Sequence, residues 1–222
     1  CLWEKGETSG HTLQVVEGDL LTLRAARLIM QAGLIVHDGL VSEDILAMAG
    51  PKARLVSVAK RRSRHTMPQD AINDLLVAEA RAGKQVVRLK GGDPFIFGRG
   101  GEEVDAALAA GVPVVVIPGI SAANGAAAST LMPLTHRDHA SMVSFVAGEC
   151  RGLAEQNWAG LAGKGRTLVI YMGLAGAAPI AEKLMADGLA PDTPVAVVER
   201  ATQANERLVT SLLADLAGLV AR

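Results

Sequence analysis

Aromatic side chains are scarce in this sequence: phenylalanine, tryptophan and tyrosine together make up 3% of its 222 residues. A surface that stacks nucleic-acid bases on rings needs more of them, so a reader of single strands is disfavoured. A charge excess is missing as well. Lys and Arg number 22 against 23 Asp and Glu, a net charge of −1, which leaves no footprint for bulk polyanions and points away from nucleic acid. The two cysteines, Cys1 and Cys150, share no metal-ligand spacing and make no disulfide framework. That usage fits a reducing cytosol and a cytoplasmic protein with no metal. No secretory leader is evident, because Cys1, Leu2, Trp3, Glu4 and Lys5 run into a polar, glycine-containing stretch.

One stretch lacks charge altogether: no Lys, Arg, Asp or Glu occurs from Ala106 to His136. A membrane-spanning helix needs roughly 20 apolar residues without interruption. Here Pro113, Pro118 and Pro133, with Gly111, Gly119 and Gly125, cut the run into short pieces. A buried core is expected, and no membrane partner.

What is abundant is aliphatic. Half the residues are hydrophobic, mainly Ala, Val, Leu and Ile, and 24 are glycine. Such a composition suits buried strands covered by helices, with backbone turns at the strand ends. Apolar positions Leu21, Ala25, Leu28, Ile29 and Ala32 recur at helical spacing and predict a helix over residues 20–33. Strands are expected at 34–36, 54–58, 85–89 and 112–117, and helices at 68–82, 102–110 and 120–129. Beyond residue 140 the spacing predicts strands at 142–146, 167–171 and 194–198, with helices at 178–187 and 209–221. Strands alternating with helices mean an α/β architecture with a largely parallel sheet in the first half. The boundary between two subdomains is placed after Arg137, giving 1–137 and 138–222.

The chemically loudest segment is residues 86–103, VVRLKGGDPFIFGRGGEE. It reads as a strand, a Gly91-Gly92 turn, Asp93, and a second glycine cluster that opens a helix. Paired glycines admit a ligand close to the backbone, and a carboxylate accepts hydrogen bonds from hydroxyl or ammonium groups. Ligands in open α/β sheets lie beyond the carboxyl ends of strands, where this turn sits. The spacing is not the GxGxxG of a dinucleotide fingerprint, so glycine spacing alone favours a plain strand-to-helix turn.

The whole segment resembles the signature of the uroporphyrinogen-III C-methyltransferases, within the tetrapyrrole methylase family. The resemblance extends to Gly18-Asp19, Leu21-Thr22-Leu23-Arg24-Ala25, Asp38 with Leu40-Val41-Ser42, and Lys60-Arg61-Arg62. It continues through Pro68-Gln69, Pro118-Gly119-Ile120-Ser121-Ala122, Pro133-Leu134-Thr135-His136-Arg137, Tyr171-Met172-Gly173-Leu174 and Pro194-Val195-Ala196-Val197-Val198-Glu199. Several motifs in the right order are far more specific than any one.

The resemblance implies two α/β subdomains with an active site in the cleft between them, a homodimer, and methyl transfer from S-adenosylmethionine to uroporphyrinogen III. S-adenosylhomocysteine would be the by-product, and the route would lead to sirohaem or cobalamin. Gly91, Gly92, Asp93, Ile96, Ser121, Ala122, Met172 and Ala201 would contact the cofactor, Ala201 standing where a glycine is usual. Asp38 would accept a proton and Lys60 would donate one. Arg61, Arg62, Arg64, His136 and Arg137 would meet the substrate's acetate and propionate groups, since guanidinium forks pair well with carboxylates. Residues 13–19 depart from the family's glycine-rich opening loop, with Glu17 at its proline position, and the family's last apolar strand lies beyond Arg222. Two further readings remain open: a related methylase with another substrate, and a degenerate or truncated methylase serving as a binding or dimerisation module.

Overall fold

The computed structural model describes residues 20–59, 67–148 and 158–220. It begins with α1 (Leu23–Gln31), whose first turn is capped by the Thr22 hydroxyl accepting from the Ala25 N–H at 3.2 Å. The strand β1 (Leu34–His37) follows directly. A short α2 (Glu43–Ala47) and β2 (Arg54–Ser57) come next, then α3 (Gln69–Arg81) and β3 (Val86–Leu89).

The three strands form a parallel sheet in the order β2-β1-β3, with His37 in register with both Ser57 and Leu89. Leu34, Ile35 and Val36 of the central strand are wholly buried. Alternation is absent because both faces are covered: Ile35 packs with Ile29, Ala32 and Leu89, while Leu34 and Val36 pack with Val58 and Ile72. The carboxyl ends of β1 and β3 therefore open side by side. Asp38 and Lys90 each lie one residue past that shared register.

The helices α4 (Gly100–Ala109) and α5 (Ala122–Thr130) lead to a second group of elements. There β4 (Ala140–Ala147) pairs in parallel with β5 (Gly165–Tyr171). After α6 (Ala177–Ala186), β6 (Pro194–Glu199) forms an antiparallel hairpin with β7 (Arg207–Leu212). A single 3-10 turn and α7 (Leu216–Val220) follow. Trp158, Ala177, Ile180, Ala181, Leu184, Leu213 and Leu216 make a separate core here. No helix among the described residues is long and apolar enough to cross a membrane.

Two sequence expectations are corrected, and one element is added. Residues 112–117 are not a strand: Val115 is 65% exposed, and no ladder reaches the segment among the described residues. Pro113 has no N–H to give a ladder, and the Val112 N–H is spent on Ala107 O at the end of α4. Residues 209–221 are not one helix. Val209 faces Val197 and Thr210 faces Ala196 across the β6-β7 hairpin, so cross-strand pairing overrides the helical spacing and leaves only the last turn helical. The helix α2 was also missed, although Ser42 caps it by accepting from the Ile45 N–H; five residues are too few for a period to show.

The central strand sets the stability of the first group. Ile35→Ala is expected to cost about 2–5 kcal/mol, because a fully buried side chain leaves a cavity between two covered faces. Urea unfolding should show the loss as a lower midpoint with an unchanged slope.

Candidate functional site

Beyond the ends of β1 and β3, five loops converge. The turn after β3 is built from close backbone approaches. Gly92 sits at φ +81°, a left-handed conformation that favours glycine. A Cβ on Gly119 would fall 2.3 Å from Gly92 O, so the two loops touch main chain to main chain. Asp93 fastens them: Oδ1 accepts from the Phe95 N–H at 2.8 Å, and Oδ2 accepts from the Gly119 N–H at 3.0 Å. Next to it, a Cβ on Gly91 would meet Leu40 Cβ at 2.7 Å, which brings the loop after β1 against the same turn.

Asp38 leads that loop. Its Oδ1 accepts from the Leu40 N–H at 2.9 Å, an Asx turn that fixes the carboxylate at the strand end. Beneath the turn lies a charge network that the sequence did not single out. Glu103 on α4 accepts from Arg88 Nε at 3.0 Å, from Lys90 Nζ at 3.2 Å and from Gln69 Nε2 at 3.2 Å, all at Oε1. Glu103 and Lys90 are each only 7% exposed in their side chains. Burial pushes the Lys90 ammonium below the usual lysine range, aided by the neighbouring Arg88 charge and opposed by Glu103 and Asp38. The signal available in the sequence was three charges on alternating or helical spacing, Arg88, Lys90 and Glu103, inside an otherwise apolar setting.

The other two loops arrive from the second group of elements. Met172 follows β5 with φ +55°, and half of its surface is exposed at the cleft rather than packed in a core. Ala201 lies in the β6-β7 turn between two left-handed residues, Arg200 and Thr202. That turn leans on α5, where a Cβ on Gly125 would lie 3.1 Å from Thr202 Cγ2. Ser121 is buried, and its hydroxyl donates to Asn124 Oδ1 at 2.6 Å.

The result is one continuous cleft of about 2300 Å³. A single small ligand fills roughly 300–1,000 Å³, so the cleft exceeds the room one such ligand needs. Asp38, Gly91, Gly92, Asp93, Ile96, Ser121, Ala122, Met172 and Ala201 all line it. His136 and Arg137 do not: the His136 ring stacks on His139 at 4.6 Å in an exposed turn before β4. Lys60, Arg61, Arg62 and Arg64 lie outside the described residues. Among the described residues no three His, Cys, Asp or Glu side chains gather closely enough to hold a metal ion.

The arrangement offers a glycine-walled turn with free backbone, apolar side chains from Ile96 and Met172, and a carboxylate at Asp38.

The model of the tetrapyrrole (corrin/porphyrin) methylases matches residues 17–217. A sirohaem synthase of Pseudomonas fluorescens is 51% identical over 96% of this chain and 47% of its own length. The chain thus spans about half the length of the curated relatives it matches. Among solved structures, a uroporphyrin-III C-methyltransferase from Thermus thermophilus, complexed with S-adenosylhomocysteine, superposes with a TM-score of 0.76. It is 38% identical, over 91% of this chain and 86% of that one. A cobalt-precorrin-4 methyltransferase, 24% identical with a TM-score of 0.77, covers 92% of this chain and 84% of that one and shares the fold.

The network under the turn is testable by itself. Glu103→Gln leaves Arg88 and Lys90 buried without a counter-charge, and should cost about 3–5 kcal/mol at neutral pH. Lys90 is already lowered in the folded chain, so between its folded and unfolded pKa the unfolded chain binds more protons, and stability rises with pH. Urea midpoints of the variant should therefore recover toward wild type as the pH climbs toward the ordinary lysine value. A deficit that stays constant across that range would contradict the assignment.

Proposed function

The chain belongs to the tetrapyrrole (corrin/porphyrin) methylases, and on that premise we propose that it methylates uroporphyrinogen III, giving precorrin-2 by way of precorrin-1. The donor would be S-adenosylmethionine and the by-product S-adenosylhomocysteine, on the way to sirohaem or cobalamin. The observation that carries this reading is the Gly91-Gly92-Asp93 turn clamped onto Gly119 at the carboxyl end of a parallel sheet. The 38% identity to a methyltransferase complexed with S-adenosylhomocysteine supports it.

In this reading residues 1–137 and 138–222 are two subdomains and the cleft between them is the working site. S-adenosylmethionine, when bound, supplies an electrophilic sulfonium methyl. Gly91 and Gly92 offer backbone groups that no Cβ shields, and Ile96, Ala122, Met172 and Ala201 offer apolar walls for a nucleobase. Asp93 holds the turn and, with lone pairs left on both oxygens, can accept from a ribose or ammonium group. Ser121 holds the start of α5 beside them. The residues' main service is alignment, because a carbon, a methyl and a sulfur held in line react far faster than free partners.

Asp38 accepts the proton that the methylated macrocycle must shed, and Lys60 donates one. Arg61, Arg62 and Arg64, with His136 and Arg137, receive the macrocycle's carboxylates. For His136 and Arg137 this requires the substrate to reach past the cleft's lining. The protein works as a cytoplasmic homodimer, without metal, nucleic acid or membrane as partner.

Incubation with S-adenosylmethionine and uroporphyrinogen III should yield a product that has gained two methyl groups in place of two protons, a net gain of two CH2 units in mass spectrometry. Binding of S-adenosylhomocysteine with no mass gain would remove the activity and leave only the fold. Asp38→Asn should lower turnover about a hundred- to ten-thousand-fold, the usual weight of a general base. Calorimetric affinity for S-adenosylhomocysteine should barely change, since Asp38 faces the macrocycle's protons rather than the sulfonium ligand. Full single-turnover methylation by the variant would make Asp38 a loop residue only.

A further inference from the structure

The first turn of α5 has an unusual cap. A helix leaves its first N–H groups without intrahelical partners, and the residue before it commonly supplies an acceptor. Ser121 occupies that position with the required extended backbone, at φ −65° and ψ 154°, yet makes no capping bond. Its hydroxyl is turned to Asn124 instead. The N–H of the buried Ala123 is served from far along the chain: the Tyr171 phenol oxygen accepts it at 3.1 Å.

Tyr171 is the chain's only tyrosine, and it ends β5. Its ring lies 4.9 Å from Phe97, at the tip of the loop after β3, and 5.9 Å edge-on from Phe145 of β4. Its carbonyl accepts from the Gly148 N–H at 2.6 Å, and Met172 follows immediately at a positive φ. Through its side chain Tyr171 thus ties the loop carrying Ile96 and the helix start carrying Ser121 and Ala122 to the strand end carrying Met172, to which it belongs. Those are three separate walls of the cleft, drawn from both halves of the chain.

We infer that Tyr171 is a positioning residue for the cofactor: it replaces the absent cap of α5 and locks three walls of the cofactor site at one mutual spacing. This rests on the methyl-transfer reading, since only a ligand that touches all three walls registers the spacing. The phenol oxygen holds the helix start, and the ring holds the Phe97 loop. Tyr171→Phe deletes the first function and keeps the second.

The test has a ligand-free part and a ligand-bound part. Without ligand, Tyr171→Phe should speed hydrogen exchange at the Ala123 amide by roughly five- to ten-fold, the worth of one hydrogen bond. With ligand, its affinity for S-adenosylhomocysteine should fall by a similar factor, and KM for S-adenosylmethionine should rise more than kcat drops. Wild-type protein labelled with ¹³C at tyrosine Cζ gives a single resonance, which should move when S-adenosylhomocysteine saturates the site. That measurement needs no variant, and a residue serving stability alone would leave the resonance still. Unchanged exchange at Ala123, or an unmoved resonance in protein that binds the ligand, overturns the inference. Wild type that binds no S-adenosylhomocysteine overturns the methyl-transfer reading and the positioning role with it, while Ala123 exchange still reports whether the cap exists.

Discussion

Two main chains meet at Gly92 and Gly119 with no room for a Cβ between them, and the geometry of the cleft follows from that contact. The contact is weak by itself, because two backbones share little dispersion and bring their dipoles close. Asp93 makes it hold, with one carboxylate oxygen on its own turn and the other on the Gly119 N–H. A charge-assisted bond of this kind is stronger than a neutral one and short enough to set a position within a few tenths of an ångström. Everything downstream of Gly119 inherits that position, including the start of α5. The carboxylate therefore acts first on the protein's own shape, and on any ligand only through lone pairs left over.

The same turn stands on a buried charge cluster. Three polar side chains, Arg88 of β3, Lys90 just past it and Gln69 of α3, share the carboxylate of Glu103 on α4. Burying charge is unfavourable unless each group is paired, and here the pairing ties one strand to two helices. Hydrophobic packing could join the same elements, but it would not fix their sliding. Directional bonds do, and the strand end carrying Lys90 is held beside the strand end carrying Asp38. Burial holds the Lys90 ammonium below the usual lysine range, against the pull of Glu103 and Asp38. Rigidity at the mouth of the sheet is obtained at some expense in stability.

Much of this fold was legible in the sequence, for reasons that also explain the failures. Strands with no polar residue, such as Leu34-Ile35-Val36, and helices with a clear period, such as α1 and α3, report their own burial. Residues 112–117 have the same apolar look, but Pro113 denies them a place in a ladder, and composition carried more weight in the reading than that one missing N–H. Residues 209–221 show a helical spacing that the pairing of Val209 with Val197 overrules, a fact located in another strand. In the site, most named residues line one cleft because their motifs end strands. The purpose of the glycines was less legible. The Gly91-Gly92 pair predicts room for a ligand, whereas the Gly100 and Gly119 positions make room for Pro94 O and Gly92 O of the chain itself. Positive φ angles, expected at glycines such as Gly92, fall also on Phe97, Arg99 and Met172.

The scarcity of aromatic residues, which at first only excluded functions, also shapes how the two halves meet. Helix α5 is built almost wholly of Ala, Gly, Ser, Thr and Asn, so it approaches the β6-β7 turn closely and gains little packing area by doing so. The Phe97 ring of the first half meets the Tyr171 ring of the second, and Phe145 packs edge-on against Tyr171. Around it the cleft keeps Leu40, Phe95, Ile120, Met172 and Leu174 exposed. Apolar walls left open in this way are a reserve of burial, worth roughly 25 cal/mol for each Å² that a ligand covers. A ligand spanning both walls binds the folded chain and not the unfolded one, so it must stabilise the fold by mass action. The stabilisation is carried across the junction because the rings and the Tyr171–Ala123 bond leave the two walls little freedom to move apart. Small residues thus set how near the halves can come, and one aromatic cluster sets where they stop.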